Sequence, residues 1–250
     1  MIQEPLFYVL AVIAILIISI SKSGFGSGIG VLSVPIMALV VPPARAAAIL
    51  LPLLCAMDIF NLYHYRKKFD RKNLAMLIPF ALTGILIGTF TFRYFSDAQI
   101  RILIGFILVA FVAMYAINLH HRDDAKEPNL VRSGLLGTIA GFTSFGVHGS
   151  GPIVGMILLP QRLEKSVYVG TTVVYFAIVN YTKLIPYYFL GQLNFDNLLT
   201  SLILAPIIPL GLWIGLQLHK RVNEKYFFNL AYIFLLITGI KLLYDGISTL

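Results

Sequence analysis

The sequence contains a single cysteine, Cys55, among its 250 residues, and apolar residues surround it. One thiol cannot build a disulfide framework or a cysteine-based metal site; it reads as a small buried hydrophobe. Charge is nearly as scarce. Only 12% of the residues are charged, against about 25% in ordinary soluble domains. Soluble-enzyme motifs are also missing. Gly24-x-Gly26-x-Gly28-x-Gly30 has the spacing of a glycine-rich nucleotide loop, but no strand precedes it and the Walker lysine is absent. His120 and His121 lie in a charged loop, and His64 and His219 flank basic loops, so neither a metal site nor a cofactor is expected.

What the chain does have is long apolar sequence. Apolar residues reach 58% and mean hydropathy is +0.86. Stretches 78–92, 102–119 and 198–218 carry hardly any charge, and a bilayer-spanning helix needs about 20 such residues. The fold class expected is an all-α polytopic membrane protein, with lipid as its surroundings. The net charge of +8 then reflects basic cytoplasmic loops, and no nucleic-acid partner is implied. Residues 5–20 lack both a positive n-region and a small-x-small cleavage site, so they are read as part of the mature protein rather than a signal peptide.

A Gly- and Ser-rich break interrupts the apolar sequence twice, half a chain apart. The first runs from Ser21 to Gly30 (SKSGFGSGIG), the second from Gly141 to Pro152 (GFTSFGVHGSGP). Irregular backbone at membrane depth survives only where it lines a cavity or is buried in protein. A duplicated pair of interrupted helices is the best sequence pointer to a carrier's binding site. Other residues match at nearly the same offset: Asp70 and Asp196 are 126 apart, and Pro79 and Pro206 are 127 apart. Gly84 and Gly211 are 127 apart, as are Gly88 and Gly215.

Charge counting then chooses an orientation. With every apolar segment crossing, the two sides carry eight and nine Lys or Arg, which gives no bias. With residues 6–41 and 133–161 as re-entrant hairpins, the count becomes thirteen against three. A strong cytoplasmic excess is what a real topology needs. The second limb 31–41 rises only about 16 Å, short of a roughly 30 Å core. The expected architecture is therefore two inverted repeats, each a re-entrant broken-helix hairpin plus three transmembrane helices. The spans fall at about 44–65, 73–92, 98–119, 166–190, 197–218 and 225–247. Residues 1–119 form the first repeat, 120–132 a cytoplasmic linker and 133–250 the second repeat.

Few titratable groups remain at depth: Lys22, Asp58, His148, Lys183 and Lys241. A charge at the bilayer centre costs at least about 2.5–3.5 kcal/mol, so each is a functional candidate. Lys241 reads instead as snorkelling to the outer interface. Lys22 and His148 sit at the two tips, and Asp58 and Lys183 are 125 apart at equivalent depths. Asp58, His148 and Lys183 are the proton-coupling candidates, with Asp58 alternatively a structural partner for a lysine and Lys183 alternatively a snorkelling residue. Helix N-termini near Gly30 and Pro152 would present free N–H groups to an anion. The expected substrate site comprises Lys22, Ser23, Gly26, Ser27, Gly28 and Gly30 from the first tip, and His148, Gly149, Ser150 and Gly151 from the second. Thr171 and Asn180, with Thr172, suit the cavity wall. The opposing reading is helix packing, preferred for Gly84-x-x-x-Gly88 and Gly211-x-x-x-Gly215.

These pieces resemble the TauE/SafE family of bacterial anion permeases. The likeness rests on Gly28-Ile29-Gly30-Val31-Leu32-Ser33-Val34-Pro35, Gly149-Ser150-Gly151-Pro152, Gly170-Thr171-Thr172, residues 187–196 (YYFLGQLNFD) and 209–215 (PLGLWIG). It implies a non-enzymatic secondary transporter in the bacterial inner membrane. Sulfite or an organosulfonate such as sulfoacetate would be the substrate, exported and proton- or potential-driven. Import of a small carboxylate or sulfonate, and an anion channel, are the alternatives; a homodimer is open. Two departures stand out. His148 and Ser150 interrupt the second Gly run, and no central cysteine supports the thiol-dependent thiosulfate relatives.

Overall fold

The structure, a computed structural model, describes residues 2, 4–25, 29–118, 129–218 and 224–250, and every regular element among them is helical. Helix α1, Pro5–Ile20, opens on a proline that needs no intrahelical donor. It passes into a π-turn, Ser21–Phe25, where the Ser21 N–H meets both Ile17 O and Ile18 O. The Ser23 hydroxyl donates back to the Ser19 carbonyl at 2.9 Å. Such back-bonding competes with the helical ladder and favours local unwinding there. The chain resumes as a 3-10 turn, Ile29–Leu32, and a short α2, Ser33–Met37. Three long helices complete the first half: α3 (Pro43–Tyr65), α4 (Arg71–Tyr94) and α5 (Asp97–Asn118).

The second half repeats this order. Helix α6, Leu130–Val147, ends where His148 adopts a left-handed conformation at φ 52° and ψ 30°. The N–H groups of His148 and Gly149 return to Ser144 O and Thr143 O, closing the last turn as a Schellman motif. Then come the short α7 (Gly151–Leu158), the long α8 (Lys165–Phe189), α9 (Phe195–Leu204), α10 (Ile207–Leu218) and α11 (Glu224–Ser248). The stretch 197–218, expected as one span, is thus two helices bent by 48°. Its cause is a second proline. Pro206 and Pro209 together remove two donors and crowd the preceding turn, whereas α4 carries Pro79 alone and runs through it.

Among the described residues, Pro5–Ser23, α3, α4 and α6 are long and apolar enough to cross a bilayer, with α9 and α10 a fifth span if taken together. Each break therefore divides a long limb from a short one. The 16 residues of α1 rise about 24 Å, so this limb must tilt steeply if its tip stops near mid-depth. Outward faces carry exposed Leu6, Val9, Leu86, Phe90, Trp213 and Ile240, the apolar exterior that lipid requires.

Packing pairs helices of the two halves in matching ways. Helix α4 lies along α6, and α10 lies along α1; α4 touches α8, and α3 touches α9; α3 meets α8, and α5 meets α11. Exchanging the halves turns every one of these pairs into another or into itself. Glycines permit the closest crossings. A Cβ on Gly84 would strike the Thr138 carbonyl, and one on Gly141 the Ala81 carbonyl. On the other side Gly211 lies against Ser19 and Gly215 against Ser23. Both Gly-x-x-x-Gly pairs serve helix contact.

Candidate functional site

The two breaks meet. Between them lies a cavity of about 30 Å³, roughly the room that two waters need. Its lining pairs residues at the repeat offset: Ile18 with Ser144, Lys22 with His148 and Leu54 with Asn180, each 126 residues apart. In the first and third pairs the second half supplies the polar member. Ser21, Gly30, Gly151 and Phe176 also face the cavity, and the Lys22 ammonium sits 5.6 Å above the Phe176 ring, within the range of a cation–π attraction.

Each tip is tied to a long helix. The Lys22 ammonium donates to Asp58 Oδ1 on α3 at 2.5 Å, and the other carboxylate oxygen accepts from Asn180 Nδ2 on α8 at 2.7 Å. Symmetrically, Lys183 on α8 reaches the second tip, donating to His148 Nδ1 at 2.7 Å and to Ser144 O and Oγ at 2.9 and 3.1 Å. His148 Nε2 lies 2.9 Å from the Ala47 carbonyl. A carbonyl only accepts, so Nε2 carries the imidazole proton and Nδ1 is the acceptor for Lys183. The imidazole is therefore neutral. Three acceptors around Lys183 Nζ match the three N–H bonds of an ammonium. Tyr187 stacks beside His148 and donates to the Phe145 carbonyl, fixing the ring from behind.

The electrostatic sum follows. Among the described residues the buried ionisable side chains of this cluster are Lys22, Asp58, His148 and Lys183, with Asp58 and Lys183 fully inaccessible. When both lysines are protonated, two ammonium groups, one carboxylate and a neutral imidazole leave one positive charge without a counter-charge among the described residues of the cluster. A buried charge held only by neutral acceptors is costly, and an anion in the adjoining cavity would offset it.

Other expected site residues fall elsewhere. Gly26, Ser27 and Gly28 lie outside the described residues. Ser23 is buried against α10, its hydroxyl reaching the Leu212 carbonyl at 3.1 Å. Gly149 packs on Val31. Ser150 is fully buried beside the N-terminus of α7, near the buried Tyr175 hydroxyl. The Thr171 hydroxyl donates to the Val167 carbonyl and accepts the Asp70 N–H at 2.8 Å, so it secures the start of α4 to α8. Thr172 back-bonds to the Val169 carbonyl. Lys241 is exposed and pairs with Asp245 one turn on. Phe176 and Ala47 were not singled out from the sequence. Phe176 stands one turn before Asn180, and that spacing was the available signal.

A family model, Sulfite exporter TauE/SafE, matches residues 11–242. No curated protein and no solved structure matches the chain.

Proposed function

The chain belongs to the TauE/SafE sulfite exporter family, a family of membrane transporters, and from that premise we propose that it is a secondary carrier exporting sulfite across the bacterial inner membrane. One observation carries the substrate charge: the buried cluster at the meeting of the two breaks holds two lysines against one aspartate. A permeating anion supplies the missing negative charge at the step where water has been excluded. A neutral or cationic solute would leave the imbalance in place.

Size narrows the anion. A cavity of about 30 Å³ accommodates only a few heavy atoms, which favours sulfite over a longer organosulfonate. Recognition would come from the Lys22 ammonium, the Asn180 amide and the backbone N–H of Gly151, the first residue of α7, which faces the cavity. Gly30 and Gly151 leave backbone approachable where a side chain would obstruct.

The halves are read as inverted repeats. The exchange of packing partners between halves and the thirteen-to-three charge count support this reading. Loops 66–72 and 162–165 would then face the cytoplasm, and the cavity would open alternately to either side. Proton coupling is placed on Asp58, His148 or Lys183. A second proton on His148 would sit on Nδ1, facing Lys183 Nζ, so protonation there requires Lys183 to move or to give up a proton. A proton on Asp58 would free Lys22.

Purified protein in proteoliposomes tests the proposal. Saturable counterflow of radiolabelled sulfite is the expected result. An unsaturable voltage-driven current would make it a channel, transport of carboxylates without sulfite would favour the importer reading, and chemical conversion of sulfite would make it an enzyme.

A further inference from the structure

We infer that Asp58 is a tethered counter-anion, holding the cavity's donors when the site is empty and displaced by the transported oxyanion. The inference rests on the cavity being the anion site.

Both oxygens of Asp58 are committed. Oδ1 accepts from Lys22 at 2.5 Å and Oδ2 from Asn180 at 2.7 Å. Those two donors come from different halves of the molecule, and both line the cavity. Asp58 does not line it; the carboxylate reaches them from α3 and is fully buried. The first-half tip and the second-half helix α8 are thus clasped by one bidentate oxyanion, and that oxyanion is part of the protein.

A sulfite, sulfonate or carboxylate entering the cavity carries the same kind of group. It meets Lys22 and Asn180 from the opposite side and competes with Asp58 for them. The lysine stem has four rotatable carbons, so its ammonium can swing between two acceptors without moving the backbone. The Asn180 amide has a second N–H to offer. A halide presents one centre and cannot replace a two-oxygen clasp. The site should therefore prefer oxyanions to chloride, and Asp58 should drive release by recapturing its donors.

A purely structural carboxylate predicts the reverse behaviour. If Asp58 only neutralises Lys22, removing it weakens the site or leaves affinity unchanged. If Asp58 competes, removing it tightens binding, because close charge pairs couple strongly when desolvated.

Sulfite titrated by calorimetry into the full chain in nanodiscs separates the two. For Asp58→Asn the dissociation constant should fall at least about tenfold relative to wild type, while counterflow slows because release is impaired. Without ligand this variant should melt at a lower temperature, and sulfite should raise its midpoint by more than it raises that of wild type. Equal or weaker sulfite binding in Asp58→Asn overturns the inference. Should that variant fail to fold, wild-type protein decides alone. Sulfite must then produce a carboxylate band in the infrared difference spectrum, as Asp58 loses the Lys22 ammonium, and a spectrum without one overturns the inference. Wild-type protein that binds no sulfite, sulfonate or carboxylate removes the anion reading and this inference together. Wild-type binding without tightening in Asp58→Asn removes only the role given to Asp58.

Discussion

Lys183, when protonated, carries a charge for which the described residues of the cluster offer no counter-charge. Its ammonium is fully buried and its acceptors are a carbonyl, a hydroxyl and a neutral imidazole. Lys183→Met keeps a long unbranched chain and removes the charge. Without anion, its melting temperature should equal or exceed that of wild type, since an uncompensated buried charge disappears. Sulfite should then stabilise it far less, which thermal unfolding with and without sulfite would register; wild-type stabilisation would mean the anion is bound elsewhere. His148→Asn separates backbone from ring. Asn tolerates the left-handed conformation found at φ 52°, so the break should persist while the Lys183 contact is lost. Transport by His148→Asn and Asp58→Asn between about pH 5.5 and 8, at least about one unit either side of a free imidazole, tests coupling. A flattened profile in one of them is expected; unchanged profiles in both would leave membrane potential or anion exchange as the driving force.

Among the elements, the α4–α6 crossing is a close contact to test. Gly84 and Gly141 face each other's helix so closely that a methyl group on either meets backbone rather than a movable side chain. Gly141→Ala should cost at least about 2 kcal/mol in unfolding experiments, in the range of overpacked interiors. Gly191 gives the contrast: its φ is 68° but nothing lies within 4 Å of an added Cβ, so Gly191→Ala should show only the smaller cost of backbone strain. Sequence alone exposed these elements unevenly. The breaks were legible because Gly, Ser and Pro interrupt apolar runs, and the Gly-x-x-x-Gly pairs because their spacing repeats in both halves. The bend between α9 and α10 was not, since a proline within an apolar run can either kink a helix or be absorbed, as Pro79 is. Thr171 and Ser23 looked like cavity residues from their polarity, yet their hydroxyls are occupied in packing, a distinction that only three-dimensional partners reveal.

At the scale of the molecule, the two halves place different chemistry at matched offsets. Lys22 and His148 occupy matched tips, and Asp58 and Lys183 matched helices, so an ion pair in one half faces a lysine–imidazole pair in the other. The offset of 126 was readable along the chain, whereas the pairing across it required the fold. Orientation remains a matter of charge. Loop 66–72 carries five Lys or Arg, and Lys68→Cys should react with an impermeant thiol reagent only from the cytoplasmic side. Labelling from the periplasm would overturn the inverted arrangement. The central claim is that the two breaks form one anion site, and Lys22 is a cationic side chain lining it. Counterflow of radiolabelled sulfite by Lys22→Ala beside wild type tests that claim most directly. The account predicts a rise in KM of at least about tenfold, as expected when a desolvated charge partner is lost; an unchanged KM for sulfite would contradict it.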